Sequence, residues 1–215
     1  FDNNGDVAGS ISVRPDMMPL VELLEEKGDE IFSKADSVVF EVDLEKEIVK
    51  RTLDLCEKYN VPAYGVVSNM SIAAERRDFL QSIDCFVCNI QEAGILFSDD
   101  YTDRTADEMI QLLSDKVRAA KIPSMIVTMG GNGAVYADMH GEKGFCPARK
   151  VAVKDTTGAG DAFCAGVAIG LTYGKTLAEA CEIGAHLAAS VIVTSESVCP
   201  RFMPRELGLD MDVVE

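Results

Sequence analysis

The chain has 215 residues, 47% of them hydrophobic, which is enough to bury one sizeable core. Its 20 basic and 36 acidic residues give a formal net charge of −16, which argues against nucleic acid or an anionic membrane as a partner. Seven cysteines, an odd number in largely apolar surroundings, are typical of reduced residues in a cytoplasmic protein. We expect a single domain over residues 1–215, with no membrane partner.

The chain opens on a predicted hairpin over residues 1–13, with its turn at Asn3-Asn4-Gly5-Asp6. A sequence that begins inside a hairpin and lacks an initiator Met is expected to be a fragment that lacks the N-terminal part of its protein.

Strand and helix signals then alternate. The predicted helices cover 19–31, 45–60, 71–82 and a stretch within 106–121, and the predicted strands cover 37–42, 61–67, 85–88 and 125–129. The expected inward face of the second helix is Ile48, Leu53, Leu55 and Cys56. Repeated strand-helix-strand units predict an α/β fold, a three-layer α-β-α sandwich with a mostly parallel sheet and with ligands at the carboxyl ends of its strands.

Cys85-Phe86-Val87-Cys88 has the C-x-x-C spacing of some zinc and redox sites. It lies in a predicted buried strand, and the chain holds no second pair and only two histidines. Packing is therefore the favoured interpretation.

Two loops follow predicted strands. Asn89 and Glu92 stand three residues apart after the strand 85–88, and they suit a helix N-cap with its capping-box partner. Glycine at three of the four positions 130–133 predicts a tight turn between two strands.

The stretch 155–163, Asp-Thr-Thr-Gly-Ala-Gly-Asp-Ala-Phe, predicts a loop that turns into a helix. Two glycines free the backbone to bring N–H groups close to a ligand, and a helix start favours phosphate. Asp161 then lies in the first turn, where a carboxylate can accept the proton of a hydroxyl that attacks phosphorus. The alternative is that Asp161 only complements the helix dipole and the glycines only permit close packing.

This stretch, continued through Gly166, closely resembles the C-terminal signature of the PfkB, or ribokinase-like, family of carbohydrate and nucleoside kinases. The resemblance implies a ribokinase-like, Rossmann-like fold and ATP-dependent phosphorylation of a sugar or nucleoside hydroxyl. It makes Asp161 the catalytic base and the amides of Gly158, Ala159 and Gly160 an anion hole for the moving phosphoryl group.

The same resemblance implies the roles of other residues. Asn89 and Glu92 look like the family motif that organises Mg²⁺ and its waters. The side-chain oxygens of Asn and Glu are hard ligands, which suit that ion. The turn 128–133 is similar to one that contacts the nucleotide phosphates, through Thr128, Gly130, Asn132 and Gly133.

Asp155 and Thr157 stand where the family binds a monovalent cation such as K⁺, although Ser195-Glu196-Ser197 and Arg201 depart from the family's pattern nearby. Asp155 could equally be a turn or cap residue. His186, on a last helix predicted over 177–193, would border the adenine pocket, whereas a lone His on an apolar face is usually a core residue.

The resemblance covers roughly the C-terminal two-thirds of the family's usual chain. The lid, which covers the sugar and often forms a homodimer, is largely missing. Asn4-Gly5-Asp6-Val7, Arg14-Pro15-Asp16-Met17 and Glu41-Val42-Asp43-Leu44 resemble the pseudouridine-kinase branch, so pseudouridine stands beside ribose, fructose and other nucleosides as a candidate substrate. A nucleotide-binding or regulatory module without turnover is the alternative function.

Overall fold

A computed structural model of the protein describes residues 15–200 and 202–209. The predicted hairpin over residues 1–13 and Arg201 lie outside the described residues.

Helices and strands alternate in the order that the sequence predicts. The helices are α1 (Met18–Phe32), α2 (Lys46–Tyr59), α3 (Met70–Ala74), α4 (Arg77–Leu80), α5 (Ile90–Phe97), α6 (Ala106–Ala120), α7 (Ala159–Thr172) and α8 (Leu177–Ile192). The strands are β1 (Val38–Glu41), β2 (Ala63–Val66), β3 (Cys85–Asn89), β4 (Ser124–Thr128), β5 (Ala134–Asp138) and β6 (Lys143–Cys146). Short 3₁₀ turns cover Gly130–Asn132 and Pro204–Leu207.

The strands form one sheet in the order β1-β2-β3-β4-β5-β6. The first four strands run parallel, and β5 and β6 continue the sheet antiparallel. Buried side chains of α1 to α6 pack on one face, and those of α7 and α8 pack on the other. The expectation of a three-layer α/β sandwich with a mostly parallel sheet is confirmed.

The inward face of α2 is the predicted one. Its four expected core residues are all buried, at 2%, 8%, 0% and 5% exposure for Ile48, Leu53, Leu55 and Cys56. The 3.6-residue spacing of the apolar positions was sufficient to orient this helix.

The prediction of a single helix over 71–82 is wrong, because this segment forms two helices, α3 and α4. Arg76 leaves the helical region, with φ −123° and ψ 43°. Its guanidinium donates a hydrogen bond to the backbone carbonyl of Leu44, in the loop after β1. This contact is with a residue distant in sequence, so local periodicity carried no sign of the break.

The α7 and α8 pair packs closely through glycine. A Cβ on Gly166 would lie 2.6 Å from the Cα of Gly184, so the two backbones meet where neither residue has a side chain. Within residues 15–200 and 202–209, no helix is long and apolar enough to cross a membrane.

Candidate active site

Two of the loops singled out in the sequence leave the sheet side by side. Asn89 ends β3 and Thr128 ends β4, and the two residues are register partners in the parallel β3-β4 ladder. The Thr128 hydroxyl also donates to the Cys88 carbonyl at 3.4 Å. Because parallel strands end at the same edge of a sheet, the Asn89–Glu92 pair and the glycine turn lie next to each other.

Asn89 and Glu92 form the capping box of α5. The Glu92 amide donates to Asn89 Oδ1 at 2.9 Å, and the Asn89 amide donates to Glu92 Oε2 at 2.7 Å. The structural interpretation of the pair is therefore confirmed. It leaves room for a second role, because among the described residues none donates a hydrogen bond to Glu92 Oε1.

The environment of Glu92 favours a nearby cation. Burial raises the pKa of its carboxyl, the hydrogen bond from the Asn89 amide lowers it, and the charge of Asp43 raises it again. A partly buried carboxylate with another acid nearby is stabilised by positive charge. Together with the amide oxygen of Asn89, this hard oxygen set fits a magnesium ion that keeps most of its waters.

The predicted turn after β4 is confirmed. Gly130 and Gly133 have φ values of +56° and +94°. A Cβ on Gly133 would lie 2.3 Å from the Cys146 carbonyl oxygen, so only glycine fits there. A Cβ on Gly130 or Gly131 would meet no atom within 4 Å, and Asn132 is exposed. This part of the turn is open to a ligand.

The stretch 155–163 forms the predicted loop and helix start. Helix α7 begins at Ala159, and its N-cap Gly158 is left-handed with φ +79°. A Cβ on Gly158 would lie 2.2 Å from the backbone oxygen of Ser197. Glycine is thus required both by the backbone angle and by the loop that crosses it.

The amides at this helix start are not equally available. The Ala159 amide donates to the Thr156 carbonyl at 3.2 Å, which corrects the expectation that all three amides face a ligand. The amides of Gly158 and Gly160 donate to no group in the part of the chain that the structure describes. The Thr156 carbonyl thus takes one of the amides that a helix start leaves without an intrahelical partner. The sequence does not reveal which amide is taken.

Asp161 is exposed in the first turn of α7. One turn further, the thiol of Cys164 has its pKa raised to about 12, first by burial, then by the charges of Asp161, Cys85 and Glu92. Cys164 therefore lies near both acids. The charges at the start of α7 and at the start of α5 thus act on the same thiol, and a single site that contains both stays a prediction.

Asp155 is the turn residue that one interpretation predicted. Its Oδ1 accepts the Thr157 amide at 2.8 Å, and this bond is the main reason that its pKa is lowered. The amides of Lys154 and Asp155 both donate to the carbonyl of Ile192, at 2.7 and 3.3 Å. The signature loop is thereby fixed to the end of α8, and the cation role of Asp155 and Thr157 stays a prediction.

His186 lies half-buried on α8, with its ring edge-on to Phe202 at 5.1 Å between centroids and 65° between planes. Burial, followed by the charge of Arg149, lowers its pKa. A neutral imidazole against an aromatic ring is compatible with a base-stacking surface as well as with simple packing.

The two cysteines of the C-x-x-C motif pack in separate parts of the core. Cys85 belongs to the core on the α7 and α8 side of the sheet, and Cys88 belongs to the core on the opposite side. Both are free thiols, and no group of three metal-binding side chains occurs among the described residues. The packing interpretation is confirmed.

Asp43, quoted above only for its resemblance to the pseudouridine-kinase branch, was not predicted to be a buried residue at this edge of the sheet. Asp43 follows the end of β1 and is 0% exposed, and its Oδ1 accepts the Ser68 amide at 3.1 Å. Its place in the sequence could have indicated this position, because Asp43 comes directly after a buried strand of a parallel sheet. Residues that face ligands are common at such strand ends.

With this geometry in view, the chain can be compared with known proteins. A family model described as pfkB family carbohydrate kinase matches residues 11–204. A guanosine-inosine kinase from Exiguobacterium acetylicum is 34% identical over 198 residues, which are 92% of this chain and 64% of that protein. The pseudouridine kinase of Escherichia coli is 27% identical over 180 residues, which are 83% of this chain and 56% of that protein.

The fold likewise matches a ribokinase from Arabidopsis thaliana, solved with ribose and ATP, at a TM-score of 0.72 and 23% identity. That match covers 85% of this chain and 58% of the other. The chain thus spans about three-fifths of the length of the relatives that it matches. Because the family model covers nearly all of it and the sheet, helix start and strand-end motifs agree, the chain belongs to the pfkB family of carbohydrate kinases.

Proposed function

We propose that this chain carries the phosphoryl-transfer residues of an ATP-dependent kinase that phosphorylates a hydroxyl group of a nucleoside or sugar. The observation that supports it most directly is the helix start of α7. There an exposed carboxylate, Asp161, follows two backbone amides, of Gly158 and Gly160, that donate to no described protein group.

In this proposal Asp161 accepts the proton of the substrate hydroxyl as its oxygen attacks the γ-phosphorus. The bond from that phosphorus to the bridging oxygen of ADP breaks, and ADP leaves with the electron pair. The amides of Gly158 and Gly160, at the positive end of the α7 dipole, stabilise the charge on the transferring phosphoryl oxygens. They need no net positive charge for this, which is consistent with a chain of charge −16.

Asn89 and Glu92 would hold a hydrated Mg²⁺, which when bound neutralises charge on the nucleotide phosphates. The open turn at Thr128 and Gly130, with Asn132 and Gly133, would bind the donor's phosphates. His186 and Phe202 would provide a surface for its adenine ring. Asp155 and Thr157 would help to hold K⁺ beneath the signature loop.

For the acceptor we favour a nucleoside. Guanosine-inosine kinase and pseudouridine kinase are both among the relatives, and the former is the more similar of the two, at 34% against 27% identity. Purine nucleosides therefore precede pseudouridine and ribose in the order of testing. We expect a homodimer through the lid of the complete protein.

The test is a panel of guanosine, inosine, pseudouridine and ribose offered to the complete protein with ATP and Mg²⁺, with and without K⁺. Wild type and Asp161→Asn are compared by ADP release. We expect at least one nucleoside to be phosphorylated and Asp161→Asn to lose about 10²–10⁴-fold in kcat, the usual contribution of a general base. ATP affinity, measured by calorimetry, should change little.

Two outcomes would count against the proposal. Turnover by Asp161→Asn close to that of wild type would remove Asp161 as the base. ATP binding with no phosphorylated product from any alcohol would favour the other function considered from the sequence, a nucleotide-binding or regulatory module without turnover.

A further inference from the structure

The turn that follows α8 touches the loop that leads into α7 at two points. The carbonyl of Ile192 accepts the amides of Lys154 and Asp155, at 2.7 and 3.3 Å. The carbonyl of Ser197 packs against Gly158, since a Cβ on that glycine would lie 2.2 Å from the Ser197 oxygen. Two carbonyls of one turn therefore hold the loop that carries the proposed phosphoryl site.

The hydroxyl of Thr194 closes the backbone between these two carbonyls. It lies 3.0 Å from the Val191 carbonyl oxygen and 3.3 Å from that of Glu196, so its one proton is donated to either of them. It also accepts the amide of Glu196 at 3.1 Å. Short polar side chains that bond to nearby backbone groups in this way fix the shape of a turn.

The place of Ser197 matters because Gly158 is the N-cap of α7. Its φ of +79° is readily adopted by glycine, and the same lack of a Cβ leaves its backbone free to take other conformations. The Ser197 carbonyl fills the space beside the glycine Cα and limits that freedom. The direction of the Gly158 amide is thus constrained by a contact that the turn after α8 makes.

We propose that Thr194 is a positioning residue for phosphoryl transfer: its hydroxyl closes the turn after α8, and the turn holds Gly158 with its amide directed at the transferring phosphoryl group. The inference rests on the proposed function, in which the amides of Gly158 and Gly160 stabilise charge on that group. In this proposal Thr194 touches neither the nucleotide nor the acceptor. It acts through Ser197, so its loss slows the chemical step and leaves ATP binding nearly unchanged.

The test is Thr194→Val in the complete protein, a change that keeps the branched shape and removes the hydroxyl. ATP, Mg²⁺ and the best acceptor of the nucleoside panel are supplied with enough K⁺ that more does not change the rate. We expect kcat to fall at least about tenfold, because misplacing a catalytic group by about 1 Å can cost about a hundredfold. KM for ATP should stay within about twofold of wild type.

Calorimetry of ADP binding, with and without aluminium fluoride, examines the amides independently of turnover. Aluminium fluoride beside ADP mimics the phosphoryl group during transfer, and such mimics report interactions that are stronger in the transition state than in the ground state. Thr194→Val should bind ADP as wild type does. It should lose about tenfold of the additional affinity that aluminium fluoride confers.

Thr194→Ser and Ser190→Ala are the matched controls. Thr194→Ser keeps the hydroxyl and should have a kcat within about twofold of wild type. Ser190 lies one turn earlier on α8, and its hydroxyl donates to the Leu187 carbonyl at 2.6 Å. Ser190→Ala removes a comparable hydrogen bond without altering the turn, so it should lower the melting temperature slightly and leave kcat unchanged.

A Thr194→Val protein with the kcat and the aluminium fluoride affinity of wild type would overturn the inference while the kinase proposal stands. An equal loss of kcat in Ser190→Ala would also overturn it, because the effect would then come from a general loosening of α8. If Thr194→Val does not fold, Thr194→Ala takes its place and the same outcomes decide. A wild type that binds ADP, gains no affinity from aluminium fluoride and phosphorylates no acceptor would overturn the proposed function together with this inference.

Discussion

Gly158 and Gly160 bracket the start of α7 but have opposite surroundings, which predicts opposite responses to the same methyl group. Gly158→Ala places a Cβ 2.2 Å from the Ser197 oxygen on a backbone with φ +79°. We expect its free energy of unfolding to fall by at least about 2 kcal/mol, because strain and overlap add. Gly160→Ala meets no atom within 4 Å and should stabilise the helix by up to about 1 kcal/mol.

Urea unfolding of both variants measures the difference, and the activity assay adds a second contrast. The Gly160→Ala methyl would project into the space assigned to the phosphoryl group, so this variant should be stable but slow. A Gly160→Ala protein with full activity would contradict the placement of the phosphate beside that amide.

At the residue scale the positions of residues at the helix starts were easier to predict than the hydrogen bonds around them. The exposed carboxylate of Asp161 and the capping box of Asn89 and Glu92 follow from local rules, since helix starts have strong residue preferences. The engaged amide of Ala159 and the buried position of Asp43 depend on where other loops lie. Neither could be read from spacing along the chain.

Among the elements, the α7 and α8 pair gives the sharpest prediction. Gly166→Ala would bring a Cβ within 2.6 Å of the Gly184 backbone, and the helices would have to separate. We expect a loss of about 1–3 kcal/mol, the usual cost of overpacking, measured by thermal unfolding. Ala165→Ser, at the exposed neighbouring position of α7, should stay within about 0.5 kcal/mol of wild type. Similar melting temperatures for the two variants would show that the helix contact is adaptable.

Element order was predictable because strand and helix periodicities alternate cleanly, and the ends differ from prediction by only one or two residues for most elements. The exception is the division between α3 and α4, which occurs at Arg76, the residue that donates a hydrogen bond to the Leu44 carbonyl. Propensity describes a segment in isolation, whereas a tertiary hydrogen bond acts only once the sheet has assembled.

For the whole molecule, the net charge of −16 predicts a stability that rises with salt. Self-repulsion destabilises the folded state, and added ions screen it. Raising NaCl from about 10 to about 150 mM, a change in Debye length from roughly 30 to 8 Å, should raise the melting temperature by a few degrees.

KCl gives the informative comparison. Equal effects of KCl and NaCl at each concentration would indicate screening alone and would contradict a K⁺ site at Asp155 and Thr157. A further gain with KCl at low concentration would support that site.

The distribution of the two C-x-x-C thiols between opposite faces of the sheet has a practical consequence. Residues three apart on a strand have Cα atoms about 10 Å apart, beyond the roughly 7 Å that a disulfide can bridge. Cys85 and Cys88 therefore cannot join in the native protein, yet they are near neighbours in the denatured chain. Oxidation during refolding would trap molecules that can no longer complete β3, so recovery of the folded protein from denaturant should depend on a reductant being present from the start.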